Sequence, residues 1–288
     1  MRRQLRLDLC CVLVGSLICH RRLQISAMSV AACLRPSHTW DAMLNTASAK
    51  PPVDSPSKLV SVVVPVMVAS PAFGELLRVL DDTDCEVIVV QAQGSEVNSD
   101  QYECLNANLK WTFAPPSRGG QIAEGIKHTR ADLIWVLHAD SAEVDQALAY
   151  LRTLAASGRP VWGRFDIQLL GHHPGLVWVA RLMNWRSRLT RICTGDQGMF
   201  FHRCLLQQAG GFPAQRLMED IEISKRLRRN GRFSAPDISI STCGKRWERD
   251  GFWRTIVRMW RWRLRYFLGA SADQLYDEYY GRQSRERR

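Results

Sequence analysis

No stretch of this 288-residue chain reaches the ~18 consecutive apolar residues that a membrane-spanning helix needs. The nearest, "LCCVLVGSLIC" (9–19), is short and has arginines on both sides. It has the form of a signal-peptide core, and "VAAC" (30–33) resembles a lipoprotein cleavage site. The intervening "HRRLQ" argues against export, and Met28 offers an alternative start. No C-x-x-C pair occurs among the nine cysteines, and their number is odd, so neither a zinc site nor a disulfide framework is indicated. Most are expected to be small buried apolar residues in a reducing compartment. Both nucleotide-binding glycine fingerprints are missing, as are internal repeats and low-complexity tracts. Acids are the scarcer charge: 28 Asp and Glu against 39 Lys and Arg give a net charge of +11. That balance suits an anionic partner such as a phosphorylated substrate, an acidic lipid or nucleic acid.

What is present is a large apolar fraction, 46%, enough for a sizeable core. Residues 1–57 read as an N-terminal extension ending in a Ser-, Ala- and Pro-rich linker, and 281–288 as a basic solvated tail. Between them, apolar runs and helical stretches alternate. "KLVSVVVPV" (58–66), "CEVIVVQ" (85–91), "KWTFA" (110–114) and "DLIWVLHAD" (132–140) read as strands, with helices over 73–82, 99–108, 118–129 and 143–157. Such alternation predicts an α/β domain with a mainly parallel sheet. Ligands then bind beyond the carboxyl ends of the strands. Farther on, 159–170 reads as one alternating strand, 174–190 as a helix, 194–203 as a turn and strand, and 238–242 as a strand. The segment 252–268 is strongly amphipathic: Trp253, Ile256, Val257, Trp260, Leu264 and Leu268 share a face expected to pack on the domain, beside a stripe of arginines.

Five segments carry polar chemistry. In "LHAD", Asp140 follows a buried strand; it can hold a hard divalent cation or cap the next helix, and His138 alone reads as structural. "PPSRGGQ" (115–121) opens a helix with glycines and Arg118, a weak anion-binding signal. "TGDQ" (194–197) reads as an ordinary turn. "LMEDIEISKRLRRNG" (217–231) puts acids in the first turn of a helix and cations in the last, as the helix dipole favours. The dipole does not explain why the acids lie between Met218 and Ile221, where a partly buried carboxylate can serve as a general base. In "KRWERDGFWRT" (245–255) cations alternate with aromatics, a pattern for a diphosphate, a sugar, nucleic acid or lipid.

Taken in order, "SVVVP", "SRGGQ", "LHAD", "WGRFD", "TGDQGMFF", "GGFP…LMEDIEISKRLRR" and "KRWERDGFWRTIVRMWRWRLRYFLG" resemble the family 2 glycosyltransferases, most closely the small bacterial branch found beside radical-SAM and selenium-related genes. The resemblance covers about 58–280. It implies a GT-A fold, a UDP- or GDP-sugar donor, a divalent metal (Mn2+ or Mg2+) and inversion at the anomeric carbon. Asp140 matches the last acid of the family's metal motif, whose first position is His138. Glu219 and Asp220 match its acidic pair, with Asp220 as the general base. Pro65, Gln91, Arg118 and Gln121 match the donor-binding strand ends and loop, and Asp196 and Gln197 a segment near the donor sugar and acceptor. Arg246 and Trp247 match a late segment that closes over the diphosphate.

The chain departs from the family pattern after the first strand, where Val68 and Ala69 replace Asn-Glu. It departs again at the end of the second, where Gln91 replaces Asp. Both changes fall on nucleotide binding. The alternative expectations are therefore a GT-A-like binding protein that has lost donor recognition, or a basic peripheral membrane protein; nucleic acid is not the expected partner. The expected location is the cytoplasm, with contact at the inner face of an anionic membrane and a lipid as one class of acceptor.

Overall fold

The computed structural model describes residues 59–81, 85–103, 105, 108–244, 247 and 250–286; the N-terminal extension and Arg246 lie outside them. Four parallel strands form the first part of the sheet: β1 (Val60–Val66), β2 (Cys85–Ala92), β3 (Leu109–Ala114) and β4 (Leu133–Val136). β1 pairs on one side with β2, Val63 opposite Ile88, and on the other with β4, Val63 opposite Val136. Its β-branched run is buried on both faces because two cores flank it. Val60, Val62 and Val64 point to Leu76 and Leu77 of α1 (Pro71–Val79) and to Leu148 and Leu151 of α4 (Asp145–Ala156). Val63 points the other way, to Ile122 of α3 (Arg118–Lys127) and Ile223 and Leu227 of α7 (Glu219–Asn230). Of the helix expected over 99–108, the described residues form the short α2 (Asp100–Glu103), and residues 104, 106 and 107 lie outside the described residues.

The second half completes the sheet with β6 (Val161–Gly163), β8 (Phe200–His202) and β9 (Arg232–Ser234), giving the order β3-β2-β1-β4-β8-β6-β9. β8 is antiparallel to both its neighbours. Its start, preceded by Thr194–Gly198, therefore lies at the edge where β1 to β4 end. A smaller sheet joins β5 (Ser141–Ala142), β10 (Ser239–Cys243) and β7 (Asp166–Leu170).

Residues 159–170 are not one strand. The backbone N–H of Arg164 donates to Ser234 O, that of Phe165 to Gln197 O and that of Asp166 to Ile238 O. Three successive donors thus find partners in three segments, and the chain changes sheet there. All of 161–165 is buried in consequence. Arg164, fully buried, pairs with Asp166 and donates to Asn184 O at 2.8 Å.

α5 (Gly175–Thr190) lies between β7 and β8 and the short α6 (Arg203–Gln208) after β8, while α8 (Phe252–Phe267) and α9 (Ala272–Glu286) close the described chain. α9 continues through 281–286, part of the stretch read as a solvated tail. α8 corrects an expectation. Trp253, Val257, Trp260 and Leu268, expected to pack on the domain, are exposed. The opposite face is buried instead, through Thr255 and Trp262. Ile256, at the margin of the expected face, does pack on the domain together with Met259, which leaves Trp253, Val257, Trp260 and Leu268 outside the core. No helix among the described residues is long and apolar enough to cross a membrane.

Candidate active site

The carboxyl edge of the sheet collects Arg118, which opens α3 after β3, His138 and Asp140, which follow β4, and Asp196, which precedes β8. α7 then delivers Glu219 and Asp220 to the same place. Ser117 caps α3 by accepting the Gly120 N–H at 3.2 Å. Gly119 lets α3 approach the 213–219 segment: a Cβ there would lie 2.8 Å from Pro213 O and closer still to Gln215 O. Arg118 Nε consequently reaches Glu219 Oε1 at 3.2 Å, and its Nη2 lies 3.9 Å from Asp196 Oδ1. His138 Nδ1 lies 2.9 Å from the same Asp196 oxygen and 3.5 Å from Arg118 Nη2. The carboxylate contact is the shorter and takes the Nδ1 proton, so the arginine, itself only a donor, is a neighbour there and not a bonding partner.

Asp220 is held from two sides. Its Oδ2 accepts the Gly195 N–H at 3.1 Å and its Oδ1 the Ile221 N–H at 2.7 Å, leaving a half-buried carboxylate of fixed orientation. Gly195 leaves room for its neighbours: a Cβ would stand 2.9 Å from His138 Nε2 and closer still to the Arg118 guanidinium, and would push them from their places. Glu219 beside it is buried, and burial pushes its carboxyl up to about 7; Arg118 opposes the shift, while Asp220 and Asp196 add to it. The turn that aims both acids passes through Met218 in the left-handed region, φ 62°. A non-glycine residue there costs roughly 1–2 kcal/mol, which surrounding packing must offset. Met218 and Leu217 pack on the cluster of Trp262 from α8 and Leu275 and Tyr279 from α9, and Gln215 donates to Leu217 O at 2.8 Å.

The structure thus brings together Arg118, His138, Asp196, Glu219 and Asp220. The other candidates have partners within the fold. Gln121 is buried and donates to Val66 O at 3.1 Å and Val90 O at 2.7 Å, tying the ends of β1 and β2. Gln91 donates to Val97 O at 2.9 Å and holds the loop after β2. Gln197 accepts from Thr194 N and donates to Asn184 Oδ1 and Ser187 Oγ, so its amide shapes the turn. Pro65 lies within β1 opposite Val90, and Trp247 is buried with Leu176 and Val179 of α5. Val68, where the family has a polar residue, is 80% exposed. Two residues had escaped sequence reasoning: Gly195, read only as a turn glycine, and Asn184, whose amide binds both backbone groups of Ile167. Neither carries a sequence signal of its role.

Among the described residues no three His, Cys, Asp or Glu side chains form a metal cage. His138 commits Nδ1 to Asp196, and its Nε2 is buried without a partner, facing Gly195. Asp140 is partly exposed in a turn closed by His138 N to Ser141 Oγ (3.2 Å) and Ser141 N to His138 O (3.1 Å). A single carboxylate is a fitting protein ligand for a hard cation whose other positions are filled by substrate phosphates and water.

No protein-family model matches the chain, and no curated protein matches it in sequence. Among solved structures, S. aureus TarS 1-349 is 15% identical and matches with a TM-score of 0.50 over 76% of this chain and 69% of that one. The same segment in complex with UDP-GlcNAc matches at 15% identity and a TM-score of 0.47, over 76% and 70%. A mycobacterial protein matches at 15% identity and 0.44, over 67% and 70%. At this identity the likeness is one of fold: an α/β GT-A architecture with a mostly parallel seven-stranded sheet.

Proposed function

We propose that this protein is a glycosyltransferase that moves a sugar from a nucleotide-diphosphate donor to an acceptor hydroxyl, with inversion and with Asp220 as the general base. The observation that carries the reading is the Asp220 carboxylate, fixed by two backbone N–H groups next to Glu219, the partner of Arg118, at the carboxyl edge of the sheet. Asp220 takes the proton of the acceptor hydroxyl as its oxygen attacks the anomeric carbon. The bond from that carbon to the diphosphate breaks, and the diphosphate leaves with its electron pair. Arg118 faces the growing negative charge, and Glu219 and Asp196 hold the guanidinium in position. His138 is a positioning residue through Asp196. A divalent cation, Mn2+ or Mg2+, would be held by Asp140 and supplies further neutralisation of the leaving diphosphate. The fold likeness to a protein solved with UDP-GlcNAc supports a UDP-sugar as the first donor to try.

The test is thermal melting with a panel of UDP- and GDP-sugars, each with and without Mn2+ or Mg2+. A donor at ~100 times its dissociation constant stabilises by about 2.7 kcal/mol. A metal-dependent shift with one donor class, lost in Asp140→Ala, is expected. No shift with any nucleotide sugar overturns the reading. It would favour a binding protein without donor recognition, in keeping with exposed Val68 and the tethered Gln91 amide.

A further inference from the structure

Nine of the fourteen large apolar side chains exposed among the described residues lie on α5, on α8 or at Leu268 just after it. On α5, Trp178, Leu182, Trp185 and Leu189 recur at helical spacing along one outward stripe. On α8, Trp253, Val257 and Trp260 do the same. The inner faces of the two helices meet in one cluster, where Val179 and Met183 share a core with Ile256 and Met259. The two helices therefore pack on one core and together turn four tryptophans to solvent. An exposed apolar patch of this kind marks an interaction surface.

Charge identifies the partner. Neither helix contains an Asp or a Glu, and together they carry eight arginines. Some are engaged within the protein, Arg188 by Asp166 and Asp237 and Arg258 by Asp250. Arg181 and Arg261 are exposed beside the stripes, and Arg181 lies over the Trp178 ring at 5.4 Å. A second copy of the chain would set this cationic face against itself. An anionic bilayer instead accepts tryptophan at headgroup level and pairs its phosphates with arginine. We propose that the α5–α8 layer docks on an anionic lipid bilayer, tryptophans in the interface and arginines on the phosphates. The proposal is independent of the transfer reaction.

Flotation of the full chain with phosphatidylcholine vesicles, alone or mixed with phosphatidylglycerol, tests it. Binding to the mixed vesicles and little to the neutral ones is expected. Trp178→Ala with Trp185→Ala and Trp253→Ala should lower partitioning by about tenfold or more. Arg181→Gln with Arg261→Gln should lower it about fivefold per arginine at low salt, and less at high salt. Trp253→Ala alone, at a position 74% exposed, keeps the test open should the triple variant misfold. The proposal fails if the wild type does not float with anionic vesicles, or if the tryptophan variants float as well as it does. It fails equally if sedimentation shows that the face instead pairs two copies and the triple variant separates them.

Discussion

Replacing Glu219 by glutamine isolates the electrostatic cost of burying that carboxyl beside the site. Burial raises its pKa from 4.5 to about 7 in the folded chain. Between these values the native state keeps a proton that the unfolded chain has released, so stability falls as pH rises. The contribution is fully present below 4.5 and is lost as pH climbs through about 7. At about 1.4 kcal/mol per unit, the whole span amounts to about 3 kcal/mol. Glu219→Gln keeps the shape and a hydrogen-bonding oxygen toward Arg118 but cannot ionise. Urea unfolding of both proteins at several pH values between 4.5 and 8 measures the difference. The variant should gain on the wild type steadily with pH, by about 3 kcal/mol in all. Parallel stability curves would show that Glu219 is ionised throughout and fully compensated by Arg118, and would refute the reasoning.

Three further outcomes are expected. Asp220→Asn should cut transfer by about 10²–10⁴-fold, measured as acceptor-dependent UDP or GDP release, while leaving the donor-induced melting shift in place. Asp166→Ala leaves the fully buried Arg164 guanidinium without its carboxylate and should cost about 3–5 kcal/mol in denaturant unfolding. Gly119→Ala meets backbone oxygens that cannot swing aside; it should cost about 1–3 kcal/mol and weaken donor binding through Arg118, read by melting with and without the sugar nucleotide.

The first half of the fold was legible because its signals are local. An unbroken β-branched run such as Val60–Val66 can only be satisfied between two covered faces, and the strand–helix alternation then orders the sheet. Residues 159–170 were misread because Arg164 and Phe165 sit where the chain leaves one sheet for another, a fact set by Ser234, Gln197 and Ile238 far away in sequence. β9, with three residues, is too short to show a period. At the site, the acids of 217–231 stood out by charge, and Arg118 and Asp140 by position after strands. The amides of Gln91, Gln121 and Gln197 looked equally available, yet their partners are backbone groups and side chains fixed only by tertiary packing. α8 was read correctly at Ile256, which packs on the domain, but wrongly at Trp253, Val257, Trp260 and Leu268, because both of its sides carry tryptophan and composition alone does not tell an inner Trp262 from an outer Trp253.

The reversed direction of β8 bears on how the chain folds as it is made. β1 to β4 are contiguous along the first half of the described sequence and can pair as soon as they emerge. Until residues 200–202 arrive, β4 is an open sheet edge displaying Ile134 and Trp135, the arrangement most prone to pairing with another chain. The strand that seals this edge follows directly on the turn that positions Asp196 and the Gly195 N–H. Closure of the sheet and assembly of the site are therefore one late event, joined across about a hundred residues by the Arg118–Glu219 pair. Truncation before β8 would yield a sticky half-sheet and not a smaller, partly active protein.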